Sequence, residues 1–320
     1  MEEEIKYSII APIFNEVGNI PELYRRVKET MEKTGETWEL LMVDDGSTDG
    51  STDEIREYAS QDEHVVPITF ARNFGHQLAV TAGLDYAAGQ AVVIIDSDLQ
   101  DPPEVILELI EKWKQGYEVV YAQRTEREGE TWFKLFTASL FYRIVYRITD
   151  VNIPMDTGDF RLLDRKVVDV MKGMRERHRF LRGMSVWVGF KQTGVAYKRS
   201  SRYSGETKYP FRKMFKFAID AITSFSYFPL QLAMYLGFLT AGVSIIAIPV
   251  VIIVRIIGNH ALFGQATTLI AVLFLGGVQL ISLGILGEYI GRLYDEAKGR
   301  PLYILSEGPK RTIKENSHED

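Results

Sequence analysis

The sequence predicts an α/β domain of nucleotide-binding type, a mostly parallel sheet wrapped by helices, followed by two membrane-spanning helices. Three observations carry this expectation. Strand-like apolar segments and amphipathic helical segments alternate from residue 7 onward. An apolar, β-branched run at 91–95 stops abruptly at two carboxylates, Asp96 and Asp98. Two almost uncharged stretches, about 230–257 and 266–290, each exceed the roughly 20 residues that cross a bilayer core. Core helices of that length normally keep a polar stripe, and these do not.

Taken in order, residues 7–12 read as a strand, and 20–33 as an amphipathic helix with Asn19 as its cap and Pro21 in its first turn. A second apolar strand at 38–43 runs into Asp44-Asp45-Gly46-Ser47. A helix at 51–60, a strand at 65–70 and a helix at 77–88 precede the carboxylate-tipped strand, and Pro102 and Pro103 start a further helix. Residues 131–148 mix Trp132, Phe133, Phe136 and Phe141 with Lys134, Arg143 and Arg147, which suits a helix lying in a membrane interface or one packed on the sheet. The interfacial signal is stronger at 211–228, where Lys213 and Lys216 accompany Phe215, Phe217 and Phe225 ahead of the first span. The expected division is an α/β domain at 1–205, a juxtamembrane amphipathic segment at 206–228, a hairpin at 229–290 and a tail at 291–320.

A net charge of −6 argues against a general nucleic-acid binder, whose affinity rests on neutralising phosphates. The distribution of charge says more. Arg199, Arg202, Lys208, Arg212, Lys213 and Lys216 precede the first span with Glu206 the only acid among them, and Arg292, Lys298 and Arg300 follow the second. The connection at 258–265 offers only His260. Both termini and the α/β domain are therefore expected on the cytoplasmic side of a cell inner membrane, with the hairpin tip outside. The absence of cysteine removes disulfides and thiolate metal sites and agrees with a reducing compartment. An acidic start leading straight into a strand argues against a cleavable signal peptide, and 310–320 is polar enough for a disordered tail.

Side chains at i and i+2 of extended chain point the same way, so Asp96 and Asp98 are expected to converge at the carboxyl edge of the sheet, where open α/β sheets bind ligands. Two carboxylates are oxygen ligands for a hard cation such as Mg²⁺, which shares itself with substrate phosphates. A metal-bound diphosphate leaving group is the chemistry suggested, although an isolated D-x-D triplet also occurs in surface turns. Asp45, at another strand's end, is placed to accept hydrogen bonds from ribose hydroxyls or a base N–H, whereas Asp44 fits a turn and helix cap. His76 and His178 lie near these motifs without metal-ligand spacing.

Ile10-Ala11-Pro12-Ile13-Phe14-Asn15-Glu16, Val43-Asp44-Asp45-Gly46-Ser47-Thr48-Asp49 and Asp96-Ser97-Asp98 together resemble a family-2 glycosyltransferase of the GT-A fold. Thr157-Gly158-Asp159-Phe160-Arg161-Leu162, Arg179-Phe180-Leu181-Arg182-Gly183 and the run 199–208 extend the resemblance. With the hairpin, the chain looks most like the bactoprenol glucosyltransferase group of polyprenyl-phosphate glycosyltransferases, related to dolichol-phosphate mannose synthase. The resemblance implies that Pro12, Asn15, Glu16 and Asp45 hold the nucleoside and that Asp98 contacts Mg²⁺ or Mn²⁺ directly. It gives Asp96 the ribose or a water-mediated metal contact. Gln100 and Asp101 match the family's extension of this motif, or cap the helix at Pro102.

Asp159 matches the acid assigned as catalytic base, although an acceptor phosphate is already ionised near neutral pH and needs orienting more than deprotonating. The alternative for Asp159 is a plain ion pair with Arg161 or Arg165. Arg199, Arg202, Ser204 and Lys208 match a basic loop that closes over phosphate, and they equally serve as positive-inside charges.

The implied reaction is inverting transfer of glucose from UDP-glucose to undecaprenyl phosphate, with GDP-mannose or a UDP-N-acetylhexosamine as alternative donors. A processive polysaccharide synthase is weighed against it, but the Q-x-x-R-W motif is missing at 182–187. A non-catalytic nucleotide-sugar sensor, or a scaffold for a flippase, has no need of Asp159. Gly276, Gly277, Ser282, Gly284 and Gly287 permit close helix packing, so a homo-oligomer is expected.

Overall fold

The structure, a computed structural model, describes residues 4–125, 154, 157–199, 226–257 and 265–309. Arg202, Ser204, Lys208, the segment 131–148, nearly all of 211–228 and the tail 310–320 lie outside the described residues.

Its strands are β1 (Tyr7–Ile13), β2 (Trp38–Asp44), β3 (Val65–Phe70), β4 (Ala91–Ile94), β5 (Val119–Arg124), β6 (Thr157–Asp164), β7 (Gln192–Tyr197) and β8 (Leu305–Glu307). They form one sheet in the order β7-β5-β6-β4-β1-β2-β3-β8. β1 pairs in parallel with β2 and β4, as do β2 with β3 and β5 with β7. The pairings β4–β6, β5–β6 and β3–β8 are antiparallel. Around the sheet lie α1 (Ile20–Glu32), α2 (Ser51–Gln61), α3 (His76–Tyr86), α4 (Ile106–Lys114, led by a 3₁₀ turn at Pro103–Val105), α5 (Arg165–Gly173) and α6 (Leu181–Trp187).

The alternation of strand side chains sorts the core into two layers. Ile9, Leu40, Met42 and Val93 pack with Leu23, Val27 and Met31 of α1 and with Leu109 of α4. Ile10, Leu41, Val43 and Ile94 pack with Val80 and Leu84 of α3, Val167 and Val168 of α5, and Met184 of α6. Helices on both faces explain why β1 and β2 are buried at every position and read as continuous apolar runs. The predicted mostly parallel GT-A-type sheet forms, and the structure adds three antiparallel pairings that the sequence did not disclose.

Two long helices follow, α7 (Phe228–Ile256) and α8 (Gln265–Ala297). Their windows Phe228–Ile253 and Ile270–Ala297 have mean hydropathies of 2.5 and 2.2, and neither is buried against protein. They are long and apolar enough to cross a membrane, and they fit a membrane-associated protein. Within them, hydroxyls such as Ser244 and Ser282 bond to carbonyls one turn back, at 2.8 and 2.9 Å, so these polar groups are satisfied inside the helix.

From the last turn of α8 onward the chain returns to the sheet, a return that nothing in the sequence of the tail predicts. Glu296 accepts the Arg177 N–H at 2.7 Å, and Asp295 lies 3.4 Å from His178. Tyr303 stacks on Phe70 at 5.1 Å and donates its hydroxyl to Asp85 at 2.8 Å. Arg175 pairs with the same carboxylate at 2.9 Å, and β8 then extends the sheet beside β3. A strand of three residues gives little hydrophobic signal of its own, and partner residues supply what holds it.

Candidate active site

Because β1, β2 and β4 are parallel neighbours, their carboxyl ends deliver three polar loops to one edge. Pro12 sits inside β1 in register with Val43, and the loop beyond it is stitched to the loop after β2. Asn15 has a left-handed backbone, φ +55°, which its short polar side chain tolerates. Its N–H donates to the Ser47 hydroxyl at 2.9 Å, and its side-chain oxygen accepts the Thr48 N–H at 2.8 Å. The Glu16 N–H donates to the Ser51 hydroxyl at 3.1 Å, while its carboxylate accepts from the Asn19 amide.

Asp44 accepts the Ser47 N–H at 2.9 Å and the Thr52 hydroxyl, the turn and helix-start contacts expected of it. Asp45 points elsewhere. Its carboxylate accepts the N–H groups of Phe74 at 2.6 Å and Gly75 at 2.9 Å, which draws the loop after β3 onto the loop after β2. Gly46, at φ +71°, permits that approach, since a Cβ there would lie 2.5 Å from the Arg72 carbonyl carbon. Burial raises the Asp45 pKa, opposed by the two backbone donors.

Pairing with β1 continues one residue past β4, through Ile95 N–H to the Ile10 carbonyl at 3.0 Å, so Asp96 emerges at the sheet's rim. Asp98 accepts the Gln100 N–H at 3.1 Å, and Leu99 between them is buried at φ +58°. A bulky residue held in that region stores backbone strain, here in the turn that aims the two acids. Asp101 does not cap the next helix. Its fully buried carboxylate accepts the Tyr197 hydroxyl at the end of β7, with Arg199 at 3.6 Å and Arg124 at 3.9 Å. Arg199, the described member of the basic loop, is thereby tied to the D-x-D turn.

Asp159 arrives from the opposite direction. β6 runs antiparallel to β4 with Ile94 opposite Arg161, so Asp159, two residues nearer its amino end, reaches the rim where Asp96 emerges. Neither arginine of the alternative reading, Arg161 or Arg165, pairs with its carboxylate. The Arg161 guanidinium donates to the Gly158 carbonyl at 2.8 Å and to the Ser185 hydroxyl, and Arg165 bonds the Gly89 and Ala87 carbonyls. Asp159 instead accepts from Arg182 at 2.7 Å, Gln77 at 3.2 Å and His76 at 3.2 Å, and His76 also lies 3.6 Å from Asp96.

These contacts set the charges. Burial alone would raise Asp159, but the Arg182 charge and the His76 hydrogen bond hold it well below the usual carboxylate range. Burial pushes Asp96 up to about 6 against the pull of His76. Burial would lower His76, and the Asp159 hydrogen bond and Asp96 charge override it, raising the imidazole to about 9.

His76, Gln77 and Arg182 had no assigned role in the sequence reading. His76 and Gln77 follow the loop at the carboxyl end of β3, the same edge as the other polar loops, and that position was the available signal. Arg182 stood in the quoted Arg179–Gly183 run, but only the fold brings α6 against β6.

A mixed sheet with an acid cluster at this edge is an architecture that glycosyltransferases use, and residues 8–171 match the model of glycosyl transferase family 2. The chain belongs to that family and is a glycosyltransferase. Residues 228–293 match a second family, the GtrB C-terminal hairpin. Among its relatives, an uncharacterized glycosyltransferase, YkcC, of Bacillus subtilis is 53% identical, covering 95% of this chain and 94% of its own. A prophage bactoprenol glucosyl transferase homolog of Escherichia coli is 44% identical, covering 94% and 98%. A bactoprenol glucosyl transferase of Shigella phage SfV is 42% identical with the same coverage.

Proposed function

We propose that the protein transfers glucose, with inversion, from UDP-glucose to a polyprenyl phosphate, undecaprenyl phosphate being the acceptor favoured, at the cytoplasmic face of the membrane. The observation that carries this is the match to bactoprenol glucosyl transferases across 94% of the chain, hairpin included. The architecture supports it: one substrate is dissolved and meets the sheet edge, and the other is embedded in lipid and meets the hairpin. We assign 1–205 to catalysis, 206–228 to the interface and 229–290 to the spans, with both termini inside. A product built on the inner face for surface glycans calls for a translocating partner. The small residues of the second span suit a homo-oligomer.

In this reading Pro12, Asn15, Glu16 and Asp45 border the nucleoside, Gln100 borders the diphosphate, and Arg199, Arg202, Ser204 and Lys208 serve the phosphates. The donor set suits a divalent metal, Mg²⁺ or Mn²⁺. Asp96 and Asp98 offer only oxygen, and the buried Asp96 Oδ1 has no hydrogen-bond donor. When bound, the ion would neutralise the charge developing on the departing nucleoside diphosphate.

The test is a donor screen with purified protein, polyprenyl phosphate and either metal. UDP-glucose is expected to give one hexose per lipid. Preference for GDP-mannose or a UDP-N-acetylhexosamine would replace the donor, and chains of several sugars would overturn the single transfer.

A further inference from the structure

We propose that Arg182 binds the phosphomonoester of the acceptor, and that Asp159 is a positioning residue that acts through it. The proposal rests on the preceding reading only for the acceptor's chemical class. Both Asp159 oxygens are engaged by donors the fold has fixed: Oδ1 by Arg182 Nε at 2.7 Å, Oδ2 by His76 and Gln77 at 3.2 Å each. The Gln77 amide is itself pinned, because its oxygen accepts the Leu181 N–H at 3.0 Å where α6 starts. A carboxylate so occupied, and held below its usual range, is a poor acceptor for a further proton.

The Arg182 side chain is partly exposed at the rim, where it borders a tightly closed cluster of Tyr121, Thr157, Arg161 and Gln192. Arg161 is 4% exposed, and among the described residues no carboxylate lies within ion-pair distance of it. Its three hydrogen-bond partners are neutral: the Ser185 hydroxyl and the carbonyls of Gly158 and Asp159. Arg182 and Arg161 share the charge of one carboxylate, Asp159, which leaves a net positive rim that favours an incoming anion. Guanidinium forks match phosphate geometry.

The chemistry then balances without a base. A phosphomonoester has its second pKa near 6 and brings an ionised oxygen. That oxygen's electron pair forms the bond to the anomeric carbon. The bond from that carbon to the nucleoside diphosphate breaks, its electrons leave with the diphosphate, and no proton moves.

The test is a double-mutant cycle on the full chain with Arg182→Gln, Asp159→Asn and the pair, reading acceptor KM, kcat, donor Kd and thermal midpoint. Arg182→Gln is expected to raise acceptor KM roughly 10- to 100-fold, as loss of a charged hydrogen bond does, with donor Kd unchanged. Asp159→Asn is expected to lose less, and the pair to lose no more than Arg182→Gln alone. Arg182→Lys, which keeps the charge and the packing stem, should recover part of the affinity and covers the case that Arg182→Gln does not fold. Inorganic phosphate should inhibit the wild type competitively with the lipid and lose that effect in Arg182→Gln, whereas anionic vesicles lacking a phosphomonoester should not compete.

Losses that multiply in the pair, or an unchanged acceptor KM in a folded Arg182 variant, would overturn the proposal with the glucosyl reaction intact. If the wild type transferred nothing from any donor yet bound phosphomonoester through Arg182, the reaction would fall and this site would stand.

Discussion

The two halves of the proposed site, a donor half and an acceptor half, are built on different strand directions. On the donor side β1, β2 and β4 are parallel, so each strand's end is also the site's edge, and Asn15, Asp45 and Asp96 are short, local extensions of buried apolar runs. On the acceptor side β6 is antiparallel, so Asp159 enters at a strand's beginning and its partners come from α3 and α6, 82 and 23 residues away in sequence. The donor half is a product of strand register, and the acceptor half is a product of packing. The first tolerates little change in its loops. The second depends on which helices dock on the sheet.

The strongest way to break this contrast is Asp98→Ala. If Asp98 holds a metal against the diphosphate, as proposed, its removal should lower transfer on the order of 10³-fold, and chelation of the wild type should do the same. A variant that keeps a tenth of the activity would remove Asp98 from the donor half. Gly46→Ala is the corresponding test of loop geometry. The new Cβ would meet Arg72 backbone at 2.5 Å with φ at +71°, so it should cost about 2–4 kcal/mol of unfolding free energy and weaken donor binding. Unchanged stability and donor Kd would mean that the β2 and β3 loops are not held as tightly as Asp45 and Gly46 indicate.

Strand direction also accounts for what the sequence disclosed. Asp96 and Asp98 were readable because an apolar run of buried strand announces where the acids begin, and Asp45 followed from the same logic at β2. Asp159 was recognisable only by resemblance, and the arginines weighed as alternative partners, its sequence neighbours Arg161 and Arg165, turn elsewhere, Arg161 to Ser185 and Arg165 to Gly89. Period-2 alternation places a side chain on a face but cannot say which helix covers that face. The strap of residues beyond α8 was hidden for a related reason, since Tyr303 and Glu307 acquire meaning only opposite Asp85 and Arg56.

That strap bears on the comparison because Asp85 lies in the last turn of α3, whose first residues, His76 and Gln77, reach Asp159. Asp85→Ala would leave the Tyr303 hydroxyl and Arg175 without their shared acceptor and should cost about 1–2 kcal/mol, part of Arg175 being solvated already. If α3 carries the strap's grip to the acceptor half, acceptor KM should rise with donor Kd constant. A loss of stability without that KM change would confine the strap to anchoring.

The smallest expected effect tests whether the halves are joined at His76, which touches Asp159 of one and approaches Asp96 of the other. The imidazole is raised to about 9 in the folded protein, against about 6.5 in an unfolded chain. A raised value means the folded state holds the proton more tightly, so the stabilisation is complete below about 6.5 and fades as pH rises through about 9. The side chain is 42% exposed, so solvent screens the pairing and the drop in thermal midpoint between pH 7 and 9.5 should be a few degrees at most. His76→Gln should flatten that slope relative to the wild type, measured without metal. Adding Mn²⁺ and UDP should move the wild-type drop to lower pH, because an Asp96 turned toward the ion no longer supports the imidazolium. A slope identical in both proteins would mean that the donor and acceptor halves stand independently, with no charge shared between them through His76.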